Sequence, residues 1–303
     1  MVETTSVRTH QGLDPQFRTG WTGQRRLSRA AAYLAIAILV VIFAFPLYFM
    51  TITSLMTQFE TYVWPPLLYP RSWQFNNYVE MATRPDVPLL LWFWNTTQIT
   101  FFQVLGTTLS CTVVAYGFAR FRFPLRNLLF LLTLGTMMFP AQITLIPQFV
   151  LFHRLGWLNT FKPLTVPSFF GGGAFYIFLM RQFIMQLPRD LDEAALIDGA
   201  NAFRVLTSIL MPLMKPAIGT VAIICFMGAW NDFQGPLIYL QSNKFFTLAV
   251  GLRYWDTQPA LGELSLTHLM MAMCTVVAAP CVILFFSAQK IFVEGIVMSG
   301  IKG

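Results

Sequence analysis

The chain has 303 residues, of which 11% are charged, 56% apolar and 16% aromatic, with a net charge of +7 and a mean hydropathy of +0.60. A soluble domain carries about 25% charge, so this composition excludes a soluble monomer, and its aromatic content excludes a disordered chain. Four cysteines in this length also exclude a disulfide-stapled secreted protein, which leaves an integral membrane protein.

Residues 1–29 are polar, without apolar periodicity, and read as a flexible cytoplasmic tail. Arg25, Arg26 and Arg29 stand before the first apolar run. That run is longer than a signal-peptide core of about 7–15 residues and reads as an uncleaved anchor. Charge-free stretches then cover 30–59, 87–119, 127–153, 163–180, 216–231 and 264–289. A helix needs roughly 20 apolar residues to cross the hydrocarbon. The stretches therefore predict six transmembrane helices near 30–52, 95–117, 127–148, 164–185, 216–237 and 267–289. The predicted fold is all-α, because lipid offers no partner for an open backbone, and no stretch alternates as a barrel strand does.

Two segments on one side, 53–94 and 238–266, are aromatic-rich, the first with Trp64, Tyr69, Trp73, Tyr78, Trp92 and Trp94. Such residues form interface belts or a docking face for an external partner. Cys111, Cys225, Cys274 and Cys281 fall in predicted spans without a C-x-x-C pair and read as small packing residues. Six spans place both termini on one side with fourteen Lys and Arg, against six on the other. The positive-inside rule makes the richer side cytoplasmic. This bias accounts for the net charge without a nucleic-acid partner.

The segment 186–216 on that side is about 30 residues long, far beyond a minimal helix connection. Pro188 opens a helix, and Asp190, Asp192 and Glu193 crowd its first turn, where the dipole favours anions. Gly199 suits its C-terminus, and Asn201 can cap a second helix running to Pro212. A helix resting on lipid is normally basic on its polar face; this one is acidic and points to a protein partner.

Glu193-Ala194-Ala195, Asp198-Gly199-Ala200, Pro212 and Pro216 closely resemble the EAA motif of binding-protein-dependent ABC importer permeases. Ala115-Tyr116-Gly117-Phe118-Ala119-Arg120 and the following Phe121 to Pro124 look like that family's turn between two helices. Leu155 to Thr160, Trp230 to Phe233 and the end from Gly295 look like its carbohydrate-uptake branch, similar to the smaller maltose permease subunit. The resemblance covers 30–303 and implies a type I, MetI-like fold. It implies a second permease subunit as heterodimer partner, two cytoplasmic ATPases, an external solute-binding protein, and a home in a bacterial or archaeal inner membrane. The EAA loop becomes a coupling helix that docks on the ATPase and moves as a rigid lever. Glu193 is expected to pair with a basic group there, and Gly300, Lys302 and Gly303 are expected to make a second ATPase contact.

ATP and Mg belong to the partner, since no lysine of this chain follows a Gly as a Walker A lysine does. Polar groups in predicted spans are the candidates for the substrate pathway: Asn95, Gln98, Gln103, Gln142, Asn231 and Asp232. Polar side chains also simply join helices in membranes. A glycerophosphodiester or polyol-like solute is the alternative substrate. An intramembrane metalloenzyme is disfavoured because His10, His153 and His268 have no ligand spacing, and no metal site is expected. An ion-coupled secondary transporter is disfavoured by the near absence of charge within the spans.

Overall fold

The computed structural model describes residues 16–84, 87–256 and 266–300, with side chains described between residues 28 and 289. Every regular element among the described residues is helical. Among the described residues four stretches are long and apolar enough to cross a membrane alone: Ser28–Thr53, Leu89–Arg120, Lys162–Gln186 and Thr267–Gln289. Two bent pairs bring the number to six when each counts once.

Helix α1 is Gln16–Thr53, so the helix begins well before residue 30. The flexible-tail reading is corrected for 16–29, whose backbone is helical; residues 1–15 lie outside the described part. No residue in the apolar window of α1 is buried within this chain. After it, the loop to α2 (Asn76–Thr83) is stitched by polar side chains. Glu60 accepts hydrogen bonds from the Thr57 N–H (2.8 Å), the Thr57 hydroxyl (3.0 Å) and the Arg71 N–H (2.8 Å). Burial alone would raise the Glu60 carboxyl, but hydrogen bonds from Thr57, Arg71 and Ser72 outweigh it and hold the group below its ordinary 4.5.

Helix α3, Leu89–Arg120, is unbroken over 32 residues and forms the axis of the packing. The predicted third span, 127–148, is corrected: α4 (Arg126–Gly135) and α5 (Ala141–Arg154) meet at 99°. The cause is Pro140, which forces Phe139 into extended backbone (φ −82°, ψ 124°) and cannot continue the helix. The predicted fourth span, 164–185, is interrupted too. It comprises α6 (Lys162–Thr165), a 3-10 turn and α7 (Ala174–Gln186), joined through Gly171, Gly172 and Gly173, all at positive φ. Gly172 is required there: a Cβ would lie 2.8 Å from the Thr107 carbonyl oxygen of α3.

The segment 186–216 holds α8 (Asp190–Ile197), α9 (Ala202–Arg204), a π-turn at Val205–Leu210 and α10 (Met211–Leu213). Helix α11, Lys215–Trp230, follows at 80°. The predicted fifth span, 216–237, is therefore too long. Helix α11 stops at Trp230, and α12 (Gln234–Tyr239) restarts with Asp232 Oδ1 accepting the Gly235 N–H at 3.1 Å. An acid near a helix start satisfies donors that have no partner within the helix. Helix α13 is Leu248–Asp256, and α14 runs Thr267–Gly300, past the predicted end at 289.

Candidate functional site

The acidic helix α8 sits against the C-terminal end of α3. Its C-terminus is a Schellman turn: the Ala200 N–H reaches the Ala195 carbonyl (2.9 Å), and the Gly199 N–H reaches Leu196 (3.1 Å). Gly199 adopts φ +82°, the left-handed conformation that costs other residues about 1–2 kcal/mol. Asn201 then caps the next helix, its side-chain oxygen accepting the Arg204 N–H at 2.9 Å.

One face of α8 is committed inward. Ala195 is buried in a core with Ile184 from α7 and Val205, Leu206 and Leu210 from the π-turn. The Arg120 guanidinium at the end of α3 approaches the Asp192 carboxylate at 2.7 Å, the two side chains only 7% and 15% exposed. Arg120 also donates to the Leu187 carbonyl (3.1 Å), and the Tyr116 hydroxyl donates to the Ala202 carbonyl (3.2 Å). Burial pushes the Asp192 carboxyl above its ordinary value, and the pull of Arg120 and Arg189 in the other direction offsets this only in part. The opposite face is presented outward: Glu193, Ala194, Asp198 and Gly199 are exposed, together with Leu196 and Ile197. Pro212 is exposed in the first turn of α10, where a missing N–H costs nothing.

Of the predicted coupling residues, Glu193, Ala194 and Ala195 lie on α8 with only Ala195 buried, Asp198, Gly199 and Ala200 form the turn that ends it, and Pro212 lies apart on α10. The attachment to α3 escapes a sequence reading. Arg120 and Asp192 are distant in the chain, and their only sequence signal is that both fall on the same predicted side. Gly300 ends α14, while Lys302 and Gly303 lie outside the described residues.

The polar candidates for the pathway have separate surroundings. Asn95 is buried, and its amide donates to the carbonyls of Lys244 (2.9 Å) and Phe246 (3.0 Å). Trp92 Nε1 reaches Asn243, and the Thr96 hydroxyl accepts the Leu248 N–H at 2.8 Å, so this end of α3 fastens the 243–248 segment. Gln98 and Gln103 are half-buried, and Gln142 is exposed. The Asn231 amide donates to the Met227 carbonyl (2.8 Å) and contacts Cys281 Sγ at 3.9 Å. Asp232, expected inside a span, sits in the break between α11 and α12.

Residues 109–297 match the family described as binding-protein-dependent transport system inner membrane component. The chain is 32% identical over 235 residues to the arabinooligosaccharides transport system permease protein AraQ of Bacillus subtilis (strain 168), covering 77% of this chain and 81% of that protein. It is 30% identical over 278 residues to the trehalose/maltose transport system permease protein MalG of Thermococcus litoralis, covering 91% and 98%. It is 28% identical over 285 residues to the sn-glycerol-3-phosphate transport system permease protein UgpE of Brucella abortus (strain 2308), covering 90% and 98%. In fold it is similar to a chain of a bacterial ABC transporter involved in the import of the acidic polysaccharide alginate. That likeness has a TM-score of 0.79 at 22% identity, over 88% of this chain and 97% of that one.

Proposed function

This chain belongs to the family of binding-protein-dependent transport system inner membrane components, and we propose that it forms half of the pathway for a sugar or oligosaccharide in an ATP-driven importer. The chain is a multi-pass permease of the inner membrane. The proposed assembly holds a second permease subunit, two cytoplasmic ATPases that bind ATP and Mg, and an external solute-binding protein. The permease itself performs no hydrolysis. Both termini lie in the cytoplasm, as the fourteen-to-six division of Lys and Arg favours.

The observation that carries the coupling role is α8 itself. Its inner face is fixed to α3 by the Arg120–Asp192 pair, and its outer face offers Glu193, Leu196 and Ile197 to a partner. A docked element of this kind transmits movement when it has two arrangements. Closure of the ATPases would shift α8, and α3 with it, between inward- and outward-open states. Glu193 supplies a charge for a basic group on the ATPase; Gly199 supplies the turn.

Replacing Gly199 by Asp tests this in the reconstituted complex. The space around its Cβ position is open, so the effect falls on turn geometry and docking rather than on an internal clash. Loss of uptake and of ATPase stimulation is expected; wild-type values for both would remove the coupling role.

The sugar assignment is supported by the arabinooligosaccharide and trehalose/maltose permeases among the relatives. A glycerol-phosphate-type solute is the second reading, supported by the UgpE relatives. A ligand screen on the cognate binding protein separates the two.

A further inference from the structure

The turn between α3 and α4 carries a cavity of about 330 Å³ lined by Arg122, Phe123, Leu125, Arg126, Asn127 and Leu128. Leu125 holds this turn in a left-handed conformation at φ 60°, unusual for a branched residue. Arg126 uses one Nη to reach the Phe121 carbonyl at 3.2 Å. A third cation lies behind, Arg181 of α7, its guanidinium 4.0 Å from the centre of the Phe130 ring of α4. The Arg181 Nε is buried without a hydrogen-bond partner. Among the described residues no carboxylate pairs with Arg122, Arg126 or Arg181. Around these charges Phe123, Leu125 and Leu128 are exposed apolar groups.

Uncompensated guanidinium groups beside exposed apolar side chains, at the end of an apolar helix, match one ligand chemistry. We propose that the Arg122/Arg126 cavity binds the phosphodiester of an anionic phospholipid, with Phe123, Leu125 and Leu128 against its acyl chains. Guanidinium forks suit phosphate oxygens. A free phosphate ion would make no use of the apolar rim. The cavity lies at the same end of α3 as Arg120, the end assigned above to the cytoplasm, where the leaflet is anionic; the proposal rests on that orientation. A lipid held here would sit directly beside the attachment of α8.

The test uses the assembled transporter in mild detergent, exposed to equal amounts of phosphatidylglycerol and phosphatidylcholine. Retained lipid is counted by native mass spectrometry. The wild type is expected to prefer phosphatidylglycerol. In an R122Q/R126Q variant the preference should fall roughly thirtyfold, about a factor of five for each cation lost at a membrane surface. An Arg71→Gln variant, exposed in the loop between α1 and α2, should keep it. Equal retention of both lipids by the wild type, or an unchanged preference in the double variant, overturns the proposal. So does displacement of the lipid by equimolar inorganic phosphate, which would mark a site for the free ion. If the double variant does not assemble, phenylglyoxal labelling of wild-type Arg122 and Arg126 decides. Protection by phosphatidylglycerol vesicles and not by phosphatidylcholine vesicles is expected; protection by the ATPase subunit in lipid-free detergent would assign the cavity to a protein partner and refute the lipid.

Discussion

The Arg120–Asp192 pair makes the sharpest demand on the coupling scheme. Removing one member of a buried ion pair leaves the other charge without compensation, at about 3–5 kcal/mol. With side chains 7% and 15% exposed, this pair belongs near the lower figure, about 3 kcal/mol. That cost falls mainly on the docking of α8, because the other polar ties described at this end of α3 hold the flanking residues Leu187 and Ala202 rather than α8 itself. At about 1.4 kcal/mol per decade, the undocked population rises about a hundredfold. An Arg120→Met variant should therefore lose solute uptake by up to that factor while the ATPases stay assembled. Adding Asp192→Leu removes the orphan carboxylate, and replacement of both charges by apolar groups is often neutral. The double variant should recover uptake to within about tenfold of wild type, the residue reflecting the lost Leu187 hydrogen bond at about 1 kcal/mol. Amide exchange across 190–200 should rise in the single variant and recover in the double. Wild-type uptake in Arg120→Met, or losses that simply add in the double variant, would refute this account.

Three further outcomes are expected. Ala195→Leu overfills the core beneath α8, costing about 1–3 kcal/mol; uptake should fall, whereas Ala194→Leu on the exposed face should leave the thermal midpoint unchanged. Gly172→Ala puts a methyl 2.8 Å from backbone that cannot yield, so the thermal midpoint of the purified complex should drop, while Gly117→Ala, with open space around it, should not alter it. Glu60 is held below its ordinary value of 4.5, so its stabilisation is present above that value and disappears as pH falls through the lowered one. Thermal unfolding of the wild type should weaken in that acid window, and a Glu60→Gln variant should be flatter there; parallel profiles would show that Glu60 does not organise the loop.

Much of the architecture was visible in where the charges are not. Lipid excludes charge, so the long uncharged stretches mark spans, and the acidic run from Asp190 to Asp198 stands out against them. Charge spacing measures solvation and says little about backbone direction. Hence Pro140, Gly171 to Gly173 and Asn231 turn or break the chain inside stretches that read as continuous. Pro147 illustrates the reverse: it remains inside α5 without ending it. The start of α1 was missed because its polar residues have no apolar periodicity to announce a helix. The Schellman turn at Gly199 was legible, being local chemistry. The Arg120–Asp192 pair was not, because it depends on how α3 and α8 pack rather than on neighbours in sequence.

Helix α3 has a consequence of a mechanical kind. Its 32 residues form one unbroken helix, about 48 Å long at 1.5 Å per residue. One end grips the 243–248 segment through Trp92, Asn95 and Thr96, and the other grips α8 through Arg120 and α9 through Tyr116. A stiff strut clamped at both ends does not let either end move alone. Tilting it by about 10° around its middle carries each end about 4 Å in opposite directions, on that same rise per residue. Whatever pulls on α8 therefore reaches the far surface of the membrane without needing a chain of rearranged side chains between them.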